Sequence, residues 1–366
     1  MRKLLLCFLS LIYGFVTSVR NWLYDFRFLK SVDFDIPVIS IGNITVGGTG
    51  KTPHIEYLIR MLQSDFRVAT LSRGYMRKTK GFRIVETTSG VEETGDEPLQ
   101  IKKKFPEITV SVCENRVIGV QELLRLKTPP DVVLLDDAFQ HRRINPGINI
   151  VLIDYNKPLN EDHMLPCGRL RENPAQLRRA TTIIVTKCPS EVTPITRRIM
   201  AKDVYLFPYQ ELFFTSITYG SLYPVFPDAP PQEITDNLLK KGILVVSGIA
   251  SPEYMISYLE QISGEVKSAV FPDHHYYDRG DILQINQRFH ELKSTEKIVV
   301  TTEKDVQRLT VDHLLTKELK SVLYCLPVQV KFLDQEGKQF DNKIKEYVGE
   351  NKSNRALHFR KNAHKS

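Results

Sequence analysis

The run Val38-Ile39-Ser40-Ile41-Gly42-Asn43-Ile44, followed by Gly47-Gly48-Thr49-Gly50-Lys51-Thr52, decides how this chain reads. The first segment is apolar and β-branched, as strands buried on both faces are. From about Pro53 to Leu62 the pattern turns helical. A strand, a glycine-rich turn and a helix start form an anion cradle, in which backbone N–H groups converge and the helix dipole assists. Gly47, Gly48 and Gly50 let the backbone approach phosphate closely, with Thr49 between them. Lys51 has the reach for β- and γ-phosphates, and the Thr52 hydroxyl is placed to ligate Mg²⁺.

The usual phosphate-loop pattern has glycine at position 45, where this chain has Thr45. The loop resembles instead the Gly-Gly-x-Gly-Lys-Thr variant of the P-loop class. Such a loop holds Mg²⁺ only with help from a carboxylate at the end of a neighbouring apolar strand. Val132-Val133-Leu134-Leu135-Asp136-Asp137 supplies two. Strand alternation sends Asp136 and Asp137 in opposite directions, so they divide two roles: one meets the metal, and the other orients neighbours.

Working outward, strand-like runs alternate with helical ones, which predicts parallel α/β architecture. The predicted strands are Val38–Ile44, Arg67–Leu71, Val132–Asp136, Ile148–Asp154 and Thr182–Lys187. The proline-rich stretch Tyr223 to Pro231 breaks the alternation and marks a boundary. Beyond it come strands Ile243–Gly248, Val266–Phe271 and Lys297–Thr302, with helices from about Pro252 and Arg279. The expected organisation is a membrane-associated helix over 1–30 and a P-loop α/β domain over 31–222. A second, smaller α/β domain follows over 223–340, and a basic, disordered tail over 341–366. A length of 366 residues suits two such cores, and 42% hydrophobic with 25% charged residues is ordinary globular composition.

The net charge of +7 fits an anionic partner. No nucleic-acid-binding module is recognisable, so nucleotide and an anionic lipid surface rank above DNA or RNA. Cys7, Cys113, Cys167, Cys188 and Cys325 show no metal-ligand spacing, and an odd count reads as free thiols in a reducing compartment. From Leu4 to Val16 only Ser10 and Gly14 interrupt an apolar run, behind Arg2 and Lys3. As a helix it reaches about 20 Å, short of a bilayer core of about 30 Å. Val19, Trp22, Leu23, Phe26 and Leu29 continue at helical spacing, interleaved with Arg20, Arg27 and Lys30. This predicts an interfacial anchor rather than a cleaved signal peptide, because the phosphate site further on needs cytoplasmic nucleotide. A single span remains open if the apolar part extends through Val19.

Phosphoryl transfer to an alcohol also requires a group that positions the hydroxyl and takes its proton. Gly95-Asp96-Glu97-Pro98, read as a loop, offers two carboxylates; Phe271-Pro272-Asp273-His274-His275 ends a strand of the second domain. Two histidines alone do not make a metal site. Cations for the nucleotide are available at Arg116, Arg169, Arg171, Lys187 and Lys304.

In order along the chain, these motifs resemble the tetraacyldisaccharide 4′-kinases, the lipid A 4′-kinase family. The resemblance runs from Ile41 to Pro53 and continues through Leu71-Ser72-Arg73-Gly74-Tyr75, Gly95–Pro98 and Asn115-Arg116. Asp136-Asp137-Ala138-Phe139-Gln140-His141, Gly168-Arg169-Leu170-Arg171-Glu172 and Val185-Thr186-Lys187 follow, then Phe271–His274 and Thr301-Thr302-Glu303-Lys304-Asp305. It covers about residues 35 to 310, with Ala138 standing where many members have glycine. The resemblance implies two α/β/α units around a cleft. It also implies transfer of the γ-phosphate of ATP to the 4′-hydroxyl of a tetraacylated glucosamine disaccharide 1-phosphate, at the cytoplasmic face of a Gram-negative inner membrane. The family's general base falls on Asp96, with His274 orienting or tuning it. Its P-loop lysine and metal-binding hydroxyl fall on Lys51 and Thr52, and its strand-end carboxylates on Asp136 and Asp137. Arg73, Arg116 and Arg171 are expected to contact phosphate or substrate.

An acylated sugar stays in the bilayer, so a monomeric enzyme anchored by residues 1–30 meets it there. Arg73, Arg77, Lys78 and Arg83 are expected to face anionic headgroups. The alternative class is a membrane-associated P-loop ATPase switch, but those carry a lysine before the paired glycines, where this chain has Val46. A kinase for a soluble sugar is the third reading.

Overall fold

The computed structural model describes residues 2–227, 229–230, 236–310 and 315–363. Two compact units divide the chain: Met1–Ile217 with Val330–Ser366, and Thr218–Gln329. The second unit, Thr218–Gln329, therefore begins a few residues before the expected 223 and ends well before the expected 340. The chain re-enters the first unit well before the expected tail.

In the first unit, nine strands among the described residues form one sheet. They are β1 Val38–Asn43, β2 Val68–Ser72, β3 Arg83–Ile84, β4 Thr109–Val112, β5 Val132–Asp136, β6 Ile148–Asp154, β7 Thr182–Thr186, β8 Glu211–Tyr219 and, late in the chain, Val328–Phe332. β1 lies between β6 and β5, parallel to both, with Ile41 opposite Asp136. Outward from β5 come β2, β4 and β3; outward from β6 come β7, β8 and Val328–Phe332. The sequence order reverses at β1, and ligands of open α/β sheets bind at the carboxyl ends of strands beside such a switch point. All six residues of β1 and all seven of β6 are buried, which explains their largely apolar sequence; the polar exceptions are Ser40 and Asn43 in β1 and Asn149 and Asp154 in β6.

The tail expected to be disordered is a helix, Glu336–Ala363; residues 364–366 lie outside the described ones. Its first turns carry Phe340, Ile344 and Val348 into the main core, beside Ile55, Ile59 and Phe332. Tyr57 donates to Asp341 at 2.8 Å. Basic composition hid an apolar stripe at helical spacing.

The N-terminal helix Arg2–Asp25 inverts the usual pattern, turning polar groups toward the protein. The Ser10 hydroxyl donates to the Met164 carbonyl at 2.5 Å, and the Tyr13 hydroxyl to the Arg171 carbonyl at 3.0 Å. Arg20 and Asn21 reach Glu172 at 3.0 and 3.1 Å. Its apolar side chains face out: Leu11 is 72% exposed and Phe15 71%. Among the described residues, one segment, Leu5–Asp25, is long and apolar enough to cross a membrane by length and composition. The free-thiol expectation fails at two positions: this helix brings Cys7 to Cys167, 160 residues away, and the pair is a disulfide. The other three cysteines are buried thiols.

The second unit has a five-stranded sheet among the described residues. In chain order its strands are β9 Tyr223–Pro224, β10 Lys241–Ser247, β11 Glu265–Val270, β12 Glu296–Thr301 and β13 Leu323–Cys325. The spatial order is β11-β10-β12-β13-β9, parallel except for β9. The proline-rich stretch thus supplies an edge strand; Asp228 and Pro231 lie outside the described residues.

Candidate active site

The glycine loop leaves β1 and turns directly into the helix Lys51–Leu62, two residues earlier than periodicity suggested. Gly50 caps that helix at φ 86° and Gly47 sits at φ 106°, left-handed conformations that glycine adopts at little cost. Side chains fix the loop from three directions. Asn43 donates to the Thr49 hydroxyl at 2.9 Å, and the Thr186 hydroxyl donates to the Thr49 carbonyl at 3.0 Å. His54, buried one turn into the helix, has Nδ1 2.7 Å from the Gly50 carbonyl and Nε2 3.1 Å from the Thr215 hydroxyl. A carbonyl only accepts, so Nδ1 carries the proton and Thr215 donates to Nε2. Burial pulls the His54 pKa down to about 4, keeping the ring neutral, while the Gly50 bond opposes.

The strand-end carboxylates differ as alternation predicts. Asp136 is buried, and its Oδ1 has no hydrogen-bond partner. Burial pushes its pKa up to about 7; Glu97 and Asp137 push the same way, and Lys51 and Arg116 oppose. Asp137 is partly exposed at a positive φ of 47°. Lost hydration favours its acid form, but Lys51 and Arg171 outweigh that and hold its pKa below the usual carboxylate value. Lys51 Nζ lies 3.7 Å from Asp137 Oδ1, and Arg171 donates to the same oxygen at 2.8 Å and to the Asn43 side chain at 3.2 Å. Lys51, Asp137, Arg171 and Asn43 thus form one connected group beside the loop. A buried carboxylate oxygen without a donor, next to a second carboxylate at the strand end, is the kind of oxygen donor that suits a hard divalent cation.

Asp96 does not sit in a loop: it opens the helix Asp96–Lys104, with Gly95 as the cap. It is buried, and its Oδ1 accepts from the Glu97 N–H at 2.9 Å. Glu97 acts on Asp136 through its charge, a role the Gly-Asp-Glu-Pro motif did not distinguish. Arg116 is an interior residue, donating to the Cys113 carbonyl at 2.6 Å and the Asp136 carbonyl at 3.3 Å. Burial lowers its pKa to about 10, so it stays charged at neutral pH and braces the strand end. Arg73 is exposed, and its charge is felt at Arg116 and His141. Arg169 pairs with Asp162 at 2.9 Å and Lys187 with Asp154 at 2.9 Å. His274 and Lys304 belong to the second unit. Among the cations expected to meet headgroups, Arg77 pairs with Glu114, Lys78 with Glu92 and Arg83 with Glu93, which reduces their availability to lipid.

The profile of the tetraacyldisaccharide-1-P 4'-kinases (LpxK) matches residues 2–348. The chain belongs to that family. It is 46% identical over 365 residues to a tetraacyldisaccharide 4'-kinase of Bacteroides thetaiotaomicron, covering 98% of this chain and 96% of that one. Its namesake in Flavobacterium psychrophilum is 42% identical, covering 97% and 99%. A crystal structure of LpxK from Aquifex aeolicus in complex with ATP superposes with a TM-score of 0.73 at 31% identity, covering 95% of this chain and 100% of that one. The matched family residues begin at position 2, so the N-terminal helix is part of the shared chain. Asn43, Glu97 and His54 are the site residues that sequence reasoning did not assign. Asn43 was visible only as the strand's single polar residue besides a serine, which is a signal too weak to act on.

Proposed function

We propose that this chain transfers the γ-phosphate of ATP to the 4′-hydroxyl of a tetraacylated glucosamine disaccharide 1-phosphate, a lipid A precursor, at a membrane surface. One observation carries the reading: in a chain matching this kinase family over residues 2–348, Lys51 of the glycine loop and Asp137 at the end of β5 stand 3.7 Å apart. The ATPase-switch alternative is not favoured, since the family is one of kinases and Val46 occupies the position of the switch lysine.

The loop N–H groups and Lys51 bind and orient the phosphates, and Arg171 keeps Asp137 in place for Lys51. Thr52, Asp136 and Asp137 would hold Mg²⁺, which when bound supplies charge neutralisation on the phosphate oxygens. Asp96 takes the proton of the attacking sugar hydroxyl, and His274 orients Asp96. Arg73, Arg116 and Arg171 set the positive field for phosphate groups. The outward apolar side chains of Arg2–Asp25, such as Leu11 and Phe15, favour a helix that enters the bilayer where the acyl chains lie. The need for ATP supports a catalytic unit on the cytoplasmic face of the inner membrane.

The test is incubation of the detergent-solubilised enzyme with γ-labelled ATP, Mg²⁺ and the disaccharide 1-phosphate. Label at the 4′ position is the expected result. Release of inorganic phosphate with no labelled lipid would overturn the assignment. Asp96→Asn should keep ATP affinity and lose about 10²–10⁴-fold in turnover.

A further inference from the structure

The Thr301–Asp305 motif carries part of the family resemblance. In the second unit it leads from β12 into the helix Glu303–Leu309. Thr302 caps that helix, accepting from the Asp305 N–H at 3.1 Å. The Asp305 carboxylate is fully buried and collects donors: the Gly248 N–H at 3.1 Å to each oxygen, the Thr302 hydroxyl at 2.7 Å and the Tyr277 hydroxyl at 3.0 Å. Gly248 follows β10, and a Cβ there would stand 3.1 Å from Asp305 Oδ1 and 3.2 Å from the Pro272 carbonyl. The site accommodates nothing larger than glycine without moving.

This anchored carboxylate holds a buried arginine. Arg308 Nη1 is 3.6 Å from Asp305 and donates to the Gly248 carbonyl at 3.4 Å, while Nη2 lies 3.0 Å from His274 Nδ1. His274 has a φ of 60°, uncommon for a residue with a side chain, and its backbone N–H donates to the same Gly248 carbonyl at 3.2 Å. Such a conformation persists only where its surroundings over-determine it. A guanidinium offers donors and no acceptor, so Nδ1 must present its lone pair, and the proton of the neutral ring sits on Nε2. Asp273, 3.9 Å from Nε2, is the carboxylate on the histidine's own segment.

We propose that Arg308, braced by Asp305, is a positioning residue that fixes His274 as the Nε2–H tautomer, so that the ring offers an N–H donor to a carboxylate acceptor. The proposal rests on the assignment of His274 to the transfer step. An Nδ1–H ring would instead present a lone pair at Nε2 and repel a carboxylate oxygen. Orientation by such a second residue, not contact with substrate, is what Arg308 contributes.

The experiment compares full-length wild type, Arg308→Gln, Arg308→Lys and His274→Ala in detergent, each with ¹⁵N-labelled histidine. Ring-nitrogen NMR reads the His274 tautomer, assigned by its loss in His274→Ala; kcat and ATP affinity are measured in parallel. Wild type should show Nε2–H alone. Arg308→Gln, whose amide can donate or accept, should mix tautomers and lose about 10- to 100-fold in kcat with ATP affinity unchanged. Arg308→Lys, still a pure donor, should restore the tautomer and part of kcat. An Nδ1–H ring in wild type, or Arg308→Gln with an unaltered tautomer and kcat within twofold, overturns the proposal. Should Arg308→Gln fail to bind ATP, the wild-type tautomer and Arg308→Lys decide. Wild-type turnover in His274→Ala would instead overturn the role of His274 itself, leaving the tautomer measurement to judge Arg308.

Discussion

The Nδ1 of His54 lies 2.7 Å from the carbonyl of Gly50, the left-handed residue that turns the phosphate loop into its helix. The contact ties the loop to β8 as well, because the opposite ring nitrogen takes the Thr215 hydroxyl proton. His54 therefore shapes the loop without touching phosphate.

Asparagine can place an amide N–H where Nδ1 stands, whereas phenylalanine cannot. His54→Asn should hold ATP affinity within about threefold of wild type. His54→Phe should weaken it about 5- to 10-fold, the worth of one buried hydrogen bond of about 1 kcal/mol. Titration with a fluorescent ATP analogue reads both; equal affinities for the two variants would remove the loop-bracing role.

The same residue makes stability depend on pH. Its folded pKa of about 4 lies below the unfolded value of 6.5, so as pH falls below 6.5 the unfolded chain takes up a proton that the folded one refuses. The stability is complete above that range and drains away toward pH 4. At pH 5 the loss from His54 amounts to about 2 kcal/mol. His141 adds a loss of the same sign, through burial and then the charges of Arg116 and Arg73. Urea midpoints at pH 7 and pH 5 should therefore fall less in His54→Asn than in wild type.

How far the sequence foretold this arrangement depended on whether the signal was local. β1, the glycine loop and β5 each carry their pattern within a few consecutive residues, and all three stand where periodicity put them. Asp136 and Asp137 take unlike environments because adjacent strand residues face opposite ways. What escaped was non-local. The Cys7–Cys167 disulfide spans 160 positions, and β8 and Val328–Phe332 join the first sheet although the whole second unit separates them along the chain. The helix from Glu336 was masked by charge, since only Phe340, Ile344 and Val348 mark its buried stripe.

Glu172 is fully buried and receives Arg20 and Asn21 from the N-terminal helix together with Arg179. It adjoins Arg171, so one strand of chain joins the anchor helix to the Asp137 group. Removing one partner of a buried ion pair leaves the others uncompensated, at about 3–5 kcal/mol. Glu172→Ala should accelerate proteolysis after the N-terminal helix in detergent and lower turnover, while Glu172→Gln recovers part of both. Unchanged digestion kinetics in Glu172→Ala would show that the helix is held by its other contacts.

Asp136 gives the last prediction, in which stability and activity move in opposite directions. Its buried Oδ1 has no donor, and its folded pKa of about 7 lies above the unfolded 3.8. The sign follows: the acid form is tolerated below pH 3.8, and the cost of burying the charge grows as pH rises toward 7, where wild type carries nearly all of it. Asp136→Asn removes the charge in nearly the same volume. Without Mg²⁺ at pH 8 it should be more stable than wild type by roughly 1–3 kcal/mol, a rise of several degrees in Tm, and the gap should close toward pH 4. With ATP and Mg²⁺ present the order should reverse, because only wild type gains the metal's binding energy, and turnover of the variant should drop about 10²-fold or more. If Asp136→Asn is less stable than wild type in chelator at pH 8, then the carboxylate is not a buried charge awaiting a cation but a structural partner of Arg116.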